Sequence, residues 1–494
     1  MNKIRVRFPP SPTGNLHIGN ARTALFNFLF ARHHQGTFVF RIEDTDPLRS
    51  KEAYIANEIE AMEWLGLDWD EGIEKGGNFG PYRQSQRFSL YLEVAQKLIQ
   101  EEKAYPCFCT SEEIAFEKQQ AEISGIGYSY KGKCRNISSS EAQKRISLNV
   151  PHTVRFKIPC IESVQVHDMI RGSMTFPLKG IDDFIMIRSD QTPTYNFAVM
   201  VDDALMNISH VIRGEDHLFG NTPRQVLLYH ALSYPVPTFG HMPMILGTDK
   251  TKLSKRHGAF AVTDYRCMGF LPEAITNYMA LLGWSPGNDI ELMSMHEMIT
   301  SFNIEKVQSS PAVFDFEKLQ WFNSQYLRNK PSKALIHIIS QEIENAGNVF
   351  SNYTQDELEQ MMDALKSYCT ILTDIPQLIS TFENYNGISE KNIPHLDKLE
   401  TPLLFDALIN AIKQIPSWST DHIRQLIKDT GKAIGVKGRL LFHPIRLALT
   451  DQDEGPDLNL IIYVLGKEKT IKLIQKALKC LDEHVHAKEG NDAG

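Results

Sequence analysis

The chain has 494 residues, of which 42% are hydrophobic and 23% charged, and its formal net charge is −8. This length exceeds a single ordinary hydrophobic core, so several domains are expected. No apolar run approaches the roughly 20 residues that a membrane-spanning helix needs, and none follows Arg5 and Arg7, so neither a membrane span nor a signal peptide is expected. A cytoplasmic location without a disulfide framework is therefore predicted, although the chain has seven cysteines.

The first elements predict a βαβ unit. Residues 4–8 alternate in hydrophobicity as a strand does, and a proline-rich turn occupies residues 9–14. An amphipathic helix is predicted from about Leu16 to Gly36, before a second apolar run at residues 37–42. In such a unit the two strands are parallel, and a ligand is expected at their carboxyl ends.

His17 lies at the N-terminus of the predicted helix, where free N–H groups and the helix dipole favour anions. Its ring can donate to a phosphate oxygen, and Gly19 would let a nucleotide lie against the helix backbone. The alternative is that His17 only caps the helix and Gly19 only permits close packing. A tetrapeptide such as residues 17–20 is too short to decide between them.

Residues 106–200 interrupt the α/β pattern and contain Cys107, Cys109 and Cys134. Zinc favours thiolates, so three cysteines with one further ligand would complete a tetrahedral structural site. The alternative is a set of thiols without a metal.

A second basic segment follows near residue 250. Lys250, Lys252, Lys255 and Arg256 fall within seven residues, among glycine and hydroxyl side chains that predict a mobile loop. Such a loop could close over a triphosphate and stabilise the negative charge that develops in the transition state. The alternative is a solvated basic loop.

From residue 261 onward helical spacing replaces the strand patterns, for example at residues 272–282, and breaks are predicted at Pro394, Pro416, Pro444 and Pro456. Basic residues outnumber acidic ones between residues 422 and 446, so one patch is basic inside an acidic protein. The acidic remainder would discourage indiscriminate binding to RNA.

Seven segments together indicate a protein family far more specifically than any one of them does. They are residues 7–14, 17–20, 41–46, 80–85, 193–196, 211–216 and 252–256. In these segments, which span about half of the chain, the sequence resembles the class I aminoacyl-tRNA synthetases, specifically the bacterial-type glutamyl-tRNA synthetases.

The resemblance implies a multidomain α/β fold. A Rossmann-like parallel-sheet catalytic domain is expected at residues 1–105 and 201–260, split by an inserted acceptor-end-binding module at 106–200. A helical stem-contact domain is expected at 261–330 and a helical anticodon-binding domain at 331–494. The helical C-terminal third separates this chain from related synthetases that end in β-barrels.

For the substrates, the resemblance implies glutamate activation by ATP with Mg²⁺ and transfer to tRNA(Glu), without a protein nucleophile. The implied amino-acid pocket comprises Arg7 and Arg213 for carboxylates, Glu43 for the ammonium group, and the hydroxyl groups of Ser11 and Tyr195. The Ser11 segment also differs from its usual glutaminyl counterpart. Without the resemblance, Arg7 would be interpreted as a solvated strand residue and Glu43 as a surface partner.

Other implied roles concern ATP, metal and tRNA. The catalytic residues would be His17, Lys252 and Lys255, and the ATP site would add Gly19, Asn20, Ser254 and Arg256. Zinc, one per chain, would be held by Cys107, Cys109, Tyr130 and Cys134, with Asn136 standing where relatives often have a histidine ligand. Contacts to the anticodon arm are expected from Lys432, Lys437, Arg439 and Arg446, unless these are only a solvated helix face.

Three alternatives stay open from the sequence. The enzyme could also charge tRNA(Gln) with glutamate, because that property depends on a few anticodon contacts. It could be a catalytically silent tRNA-binding paralogue, although His17 and the lysines are retained. A free-standing nucleotidyltransferase would not need the long helical appendage. A monomer is expected.

Overall fold

The computed structural model describes residues 3–46, 48–258, 260–287, 289–344, 346–398 and 400–492, without the side chains of Lys255 and of residues 487–492. It divides into two units. The first comprises Met1–Tyr265 and Pro272–Phe316, and the second comprises Arg266–Leu271 and Glu317–Gly494. This division does not separate the five domains expected from the sequence, so their boundaries stay a prediction.

The strands all belong to the first unit in the described part of the chain. They are β1 (Arg5–Phe8), β2 (Thr37–Phe40), β3 (Glu71–Gly72), β4 (Ala104–Cys107), β5 (Thr153–Phe156), β6 (Ser163–Asp168), β7 (Gly172–Pro177), β8 (Ile185–Ile187), β9 (His210–Gly214), β10 (Thr238–Met242), β11 (Ile245–Leu246) and β12 (Ala312–Val313).

Ten of the described α-helices begin before residue 300. They are α1 (Ile18–His33), α2 (Glu52–Trp64), α3 (Phe88–Gln100), α4 (Ser111–Ile123), α5 (Ser139–Ser147), α6 (Tyr195–Leu205), α7 (Thr222–Leu232), α8 (Val262–Met268), α9 (Pro272–Leu281) and α10 (Met295–Ser301).

The predicted βαβ unit is confirmed. β1 and β2 are parallel, with Arg7 opposite Val39, and α1 connects them. In contrast to the prediction of an amphipathic helix, α1 is buried on most of its surface, including Arg22 and Asn27. These two side chains are tolerated because Nη1 of Arg22 and Nδ2 of Asn27 donate to main-chain carbonyl groups, as Asn27 does to Ile212 at 3.0 Å.

Two sheets meet at the edge of β1. The first has the order β1-β2-β3, and the second has the order β7-β6-β10-β9. The backbone N–H of Ser209, just before β9, donates to the carbonyl of Arg5 at 2.9 Å. β6 and β9 both run parallel to β10, although β6 lies in the segment predicted to be an insertion. The carboxyl ends of β1, β9 and β10 therefore carry residues from widely separated parts of the chain.

A smaller antiparallel sheet has the order β4-β5-β8. Cys107 is the last residue of β4, and a small buried cluster forms beside it around Tyr105, Tyr130 and Cys134. This cluster is separate from the larger core between α3, α6 and α7.

The second unit is helical in its described residues, as the sequence predicted. Its helices are α11 (Phe316–Asn329), α12 (Ser332–Glu342), α13 (Ala346–Phe350), α14 (Gln355–Leu365), α15 (Asp374–Asn384), α16 (Thr401–Gln414), α17 (Thr420–Ala433), α18 (Arg439–Thr450) and α19 (Leu458–Asp492), the last broken at Gly466. No helix in the described residues is long and apolar enough to cross a bilayer.

The local sequence explains these helices. α14 begins with a capping box between Thr354 and Glu357, and its residues Leu358, Met361 and Leu365 are buried along one side. The predicted break at Pro444 is wrong, because α18 continues through this residue. Burial of Leu441, Ile445 and their neighbours in the same helix offsets the main-chain hydrogen bond that proline cannot donate.

Candidate functional site

His17 caps α1. Its Nδ1 accepts a hydrogen bond from the backbone N–H of Gly19 at 3.1 Å, so in the neutral ring the proton lies on Nε2. Burial lowers the pKa of His17, and the charge of Lys252 lowers it further. Capping and anion binding are therefore compatible, because the Nε2–H stays available to a phosphate oxygen. Asn20 lies exposed on the same helical turn.

The chain after the basic segment returns to this helix N-terminus. The backbone N–H of Val262 donates to the carbonyl of Leu16 at 2.8 Å, and Ala261 forms an antiparallel bridge with His17. Asn57 on α2 joins the two segments, since it accepts from the backbone of Leu16 and donates to Thr263, both at 3.2 Å.

A carboxylate organises the basic segment itself. Asp249 forms an ion pair with Arg256 at 3.0 Å and lies 3.0 Å from Nε2 of His257. Hydrogen bonds from the side chain and backbone of Thr251 hold the pKa of Asp249 below its usual range. His257 in turn accepts from the backbone N–H of Ser254 at 3.2 Å. Arg256 is thus already paired with an anion inside its own loop.

The other basic residues of this segment have no described side-chain partner of this kind. Lys252 is exposed and forms a bridge with Leu246. The backbone of Lys255 forms a 3-10 turn with Arg256 and His257, and its side chain lies outside the described residues.

Arg7 and Glu43, expected in the amino-acid pocket, are buried in a network of ion pairs. Nε of Arg7 donates to both carboxylate oxygens of Asp203 at 3.2 Å. Arg41 donates to Glu43 at 2.9 Å and contacts Asp203 at 2.8 Å. Burial raises the pKa of Glu43 to about 7, against the lowering effect of the Arg41 charge. Neither Arg7 nor Glu43 is a solvated surface residue.

Arg213, which is buried, and Tyr195, which is half-buried, complete this group. Burial raises the pKa of Tyr195, and the charges of Glu43, Arg213 and Arg7 act on the same hydroxyl group. The Tyr195 ring stacks on His217 with centroids 5.6 Å apart. The structure therefore brings these four predicted residues together. Ser11 is exposed in the adjoining turn, whose Pro10 carbonyl accepts from the backbone of Glu43.

Arg213 has one unused donor. Its Nε donates to Nε2 of His241 at 3.2 Å and its Nη2 donates to the hydroxyl of Thr222 at 2.9 Å. Its Nη1 is buried without a hydrogen-bond partner among the described residues. A buried guanidinium nitrogen without a partner is costly, so an acceptor on a bound ligand would satisfy it.

The three predicted cysteine ligands converge. The sulfur atoms of Cys107, Cys109 and Cys134 lie within 4.8 Å of one another. The hydroxyl of Tyr130 is 3.2 Å from the Cys107 sulfur and 3.9 Å from that of Cys109. Asn136 is exposed. The donors that meet are thus three thiols and one phenol.

The predicted tRNA-binding residues fall into two groups. Lys432, Lys437 and Arg439 are exposed at the end of α17 and the start of α18. Arg446 is half-buried and lines a cavity of about 310 Å³ together with Tyr368 and other residues of the second unit. Its Nη1 has no hydrogen-bond partner among the described residues, and burial lowers its pKa.

Comparison with known proteins assigns both parts of the chain. The family described as tRNA synthetases class I (E and Q), catalytic domain, matches residues 3–321, which is more than half of the chain. The chain belongs to this family. Residues 332–478 match a second family, described as an anticodon binding domain.

Relatives place the chain more narrowly among these synthetases, with the glutamate–tRNA ligases. The glutamate–tRNA ligase of Carboxydothermus hydrogenoformans is 43% identical over 94% of this chain and 97% of the relative. That of Aquifex aeolicus is 44% identical over 97% of this chain and all of the relative. A crystal structure of a glutamate tRNA ligase from Elizabethkingia meningosepticum in complex with its amino acid superposes with a TM-score of 0.88 at 34% identity, covering 97% of this chain and 100% of that one.

Sequence reasoning about this synthetase missed the residues that hold the site in place. Asp202 and Asp203 interrupt an apolar stretch of α6, and Arg41 interrupts another after β2. Charges in apolar runs must be paired when buried, so these positions were detectable. Asp249 lies two residues before Thr251 and accepts a hydrogen bond from the Thr251 backbone N–H at 2.9 Å. This turn pattern is also visible in the sequence.

Proposed function

We propose that the chain activates L-glutamate with ATP to glutamyl-adenylate and transfers the glutamyl group to the 3′ end of tRNA(Glu). The observation that carries this proposal is the pocket at the carboxyl ends of β1 and β9. There Arg7, Arg213 and Glu43 lie together in a chain that belongs to the glutamate–tRNA ligases.

In this proposal the two arginines bind the carboxylates of glutamate and Glu43 binds its ammonium group. Arg213 is suited to this role because its Nη1 lacks a partner. Neutral glutamine would leave an arginine partly unpaired, at a cost of about 1 to 3 kcal/mol. Tyr195 and Ser11 would orient the ligand through their hydroxyl groups.

The ATP site is proposed at the N-terminus of α1 and the basic segment. Nε2–H of His17, the open backbone at Gly19 and the exposed Asn20 would contact the nucleotide. Lys252, Ser254, Lys255 and Arg256 would stabilise the charge on the α-phosphate and on the leaving pyrophosphate, which carries Mg²⁺. No protein nucleophile is needed, because the glutamate carboxylate attacks the α-phosphate directly.

Zinc fits the cysteine cluster. Four ligands around zinc, with Zn–S bonds of about 2.3 Å, place neighbouring sulfurs about 3.8 Å apart, and the sulfurs of Cys109 and Cys134 are 3.7 Å apart. Arg155 donates to the sulfur of Cys107 at 3.3 Å, as an outer-shell group would. We propose that Cys107, Cys109, Cys134 and Tyr130 hold one structural zinc per chain.

The proposed tRNA contacts follow the five predicted segments. The module at 106–200 would hold the acceptor end, residues 261–330 the stem and residues 331–494 the anticodon arm. In the last segment Lys432, Lys437 and Arg439 present exposed charge, and Arg446 presents an unsatisfied donor to a cavity. A cytoplasmic monomer is proposed.

Pyrophosphate exchange tests this function. It is measured with glutamate, with glutamine and without amino acid, each with and without tRNA(Glu). We expect exchange with glutamate in the presence of tRNA, and charging of tRNA(Glu). Equal exchange with glutamine, or none under any condition, would refute the proposal. Parallel charging of purified tRNA(Gln) separates a discriminating from a non-discriminating enzyme.

A further inference from the structure

A buried hydrogen-bonded chain runs from Asp168 through His241 to Arg213. β9 and β10 are parallel neighbours, and His241 lies directly opposite Arg213 in their register, so both side chains point to the same face of the sheet. Nδ1 of His241 lies 2.6 Å from a carboxylate oxygen of Asp168, and Nε2 accepts from Arg213 at 3.2 Å. His241 is 0% exposed and Asp168 is 1% exposed.

The hydrogen bonds determine the tautomer of His241. A guanidinium N–H can only donate, so Nε2 must be the unprotonated acceptor. An ionised carboxylate can only accept, so Nδ1 must carry the proton that Asp168 receives. Asp168 also accepts from the backbone N–H groups of His241, Ile170 and Arg171, which keep its carboxylate ionised and in place. The ring is therefore neutral and fixed in one orientation.

This arrangement determines where Arg213 points. His241 engages Nε and Thr222 engages Nη2, so two of the three guanidinium nitrogens are held and Nη1 is left for a ligand. The Thr222 hydroxyl is itself fixed by the carbonyl of His217 at 3.1 Å. Because a guanidinium group is planar, fixing two nitrogens also fixes the direction of the third.

We propose that His241 is a positioning residue for glutamate recognition: its Nδ1–H tautomer, held by Asp168, orients Arg213 so that Nη1 meets a carboxylate of the bound glutamate. The proposal rests on the proposed function. It places a residue in the recognition of the amino acid that does not itself touch the amino acid.

The same geometry makes recognition dependent on the charge of His241. A proton on Nε2 would point at the N–H of Arg213 and release that side chain. The groups that face His241 are Asp168 at the end of β6, Arg213 on β9, Thr222 on α7, His217, whose pKa burial lowers and the His241 charge lowers further, and Arg171, whose Nε donates to the His241 carbonyl at 3.3 Å. Burial and the Arg213 charge lower the pKa of His241, whereas the bond to Asp168 raises it. The neutral form therefore persists below the ordinary histidine range.

The test compares His241→Leu, which removes the acceptor, with His241→Gln, whose side-chain oxygen can take the place of Nε2. Met242→Leu, a buried neighbour on the same strand, is the matched control. We expect His241→Leu to raise the KM for glutamate on the order of tenfold or more, because a hydrogen bond to a charged group is lost. The KM for ATP is expected to stay unchanged, and His241→Gln is expected to recover most of the glutamate affinity.

A pH profile adds a readout that a merely structural role would not move. In the wild type the KM for glutamate is expected to rise as the pH falls and His241 gains its proton, and this part of the rise is expected to vanish in His241→Gln. Glu43 and His217 titrate in both proteins, so the difference between the two profiles reports the charge of His241. This comparison remains decisive if His241→Leu does not fold.

The outcomes distinguish the two proposals. A wild type that cannot charge tRNA(Glu) would refute the proposed function. A wild type that charges it, with an unchanged KM for glutamate in His241→Leu or identical pH profiles in the wild type and His241→Gln, would overturn the positioning role alone. An equal rise in the KM for ATP would also overturn it, because the effect would then be a general disruption.

Discussion

Replacing Asp203 by asparagine is expected to destabilise the first unit by about 3 to 5 kcal/mol, the usual result of removing one partner from a buried ion pair. The Asp203 side chain is 3% exposed, and those of Arg7 and Arg41 are 1% and 0% exposed. Arg41 keeps Glu43 as a partner at 2.9 Å, so the loss falls mainly on Arg7. The guanidinium of Arg7 would then lose its charged partner and keep only neutral acceptors, namely the amide oxygen at position 203 and the carbonyl of Ile212 at 3.5 Å.

The magnitude can be checked against an exposed pair in the same unit. Glu141 and Arg145 form a 2.8 Å ion pair whose side chains are about 40% exposed, and such helical pairs contribute about 0.3 to 0.5 kcal/mol. Glu141→Gln is therefore the matched control. The chain has two units, so a single urea transition does not report the stability of the first unit alone. The unfolding should therefore be monitored by hydrogen exchange of peptides from β1, β2 and α6.

The effect has a defined pH dependence. The charges of Arg7 and Arg41 outweigh burial and hold the pKa of Asp203 below its ordinary value. A depressed carboxyl pKa contributes stability above the unfolded-state pKa of about 3.9, and that stability is lost as the pH falls through the folded-state pKa. The part of the difference between wild type and Asp203→Asn that comes from the Asp203 charge itself should thus be fully present above about pH 5 and shrink below about pH 4. A variant no less stable than Glu141→Gln would refute this reasoning.

Three further changes test other parts of the molecule. Asp249→Asn is expected to lower the KM for ATP, since it removes the carboxylate that competes with the triphosphate for Arg256, and a raised KM would contradict this. Cys107→Ser combined with Cys109→Ser is expected to abolish the binding of about one zinc per chain. Elemental analysis after purification without chelators measures this zinc. An equal metal content in wild type and variant would count against the site. Arg446→Ala is expected to raise the tRNA concentration needed for charging and to reduce the salt dependence of tRNA binding if the guanidinium neutralises a phosphate. Equal affinity and equal salt slope in filter binding would remove Arg446 from the interface.

The sequence alone determined the elements whose signals are local. The alternation before residue 9, the proline-rich turn and the helix after Leu16 predicted the parallel β1-α1-β2 unit, because each signal acts within a few residues. Helical spacing likewise predicted the helical second unit, and the capping box of Thr354 with Glu357 that the structure shows acts over the same short range. The cysteine spacing predicted a cluster whose members the structure brings within 4.8 Å.

Only the tertiary structure decided which distant residues support these local elements. Pairing of β6 and β9 with β10 sets His241 opposite Arg213 and beside Asp168, and packing of α6 with α3 and α7 places Asp203 where it pairs with Arg7 of β1. The physical reason is that strand register and helix packing depend on surfaces far apart in the chain, whereas propensity and turn chemistry act between neighbours. A charged residue within an apolar run indicates from the sequence that it needs a partner when buried, and the fold determines which partner it contacts.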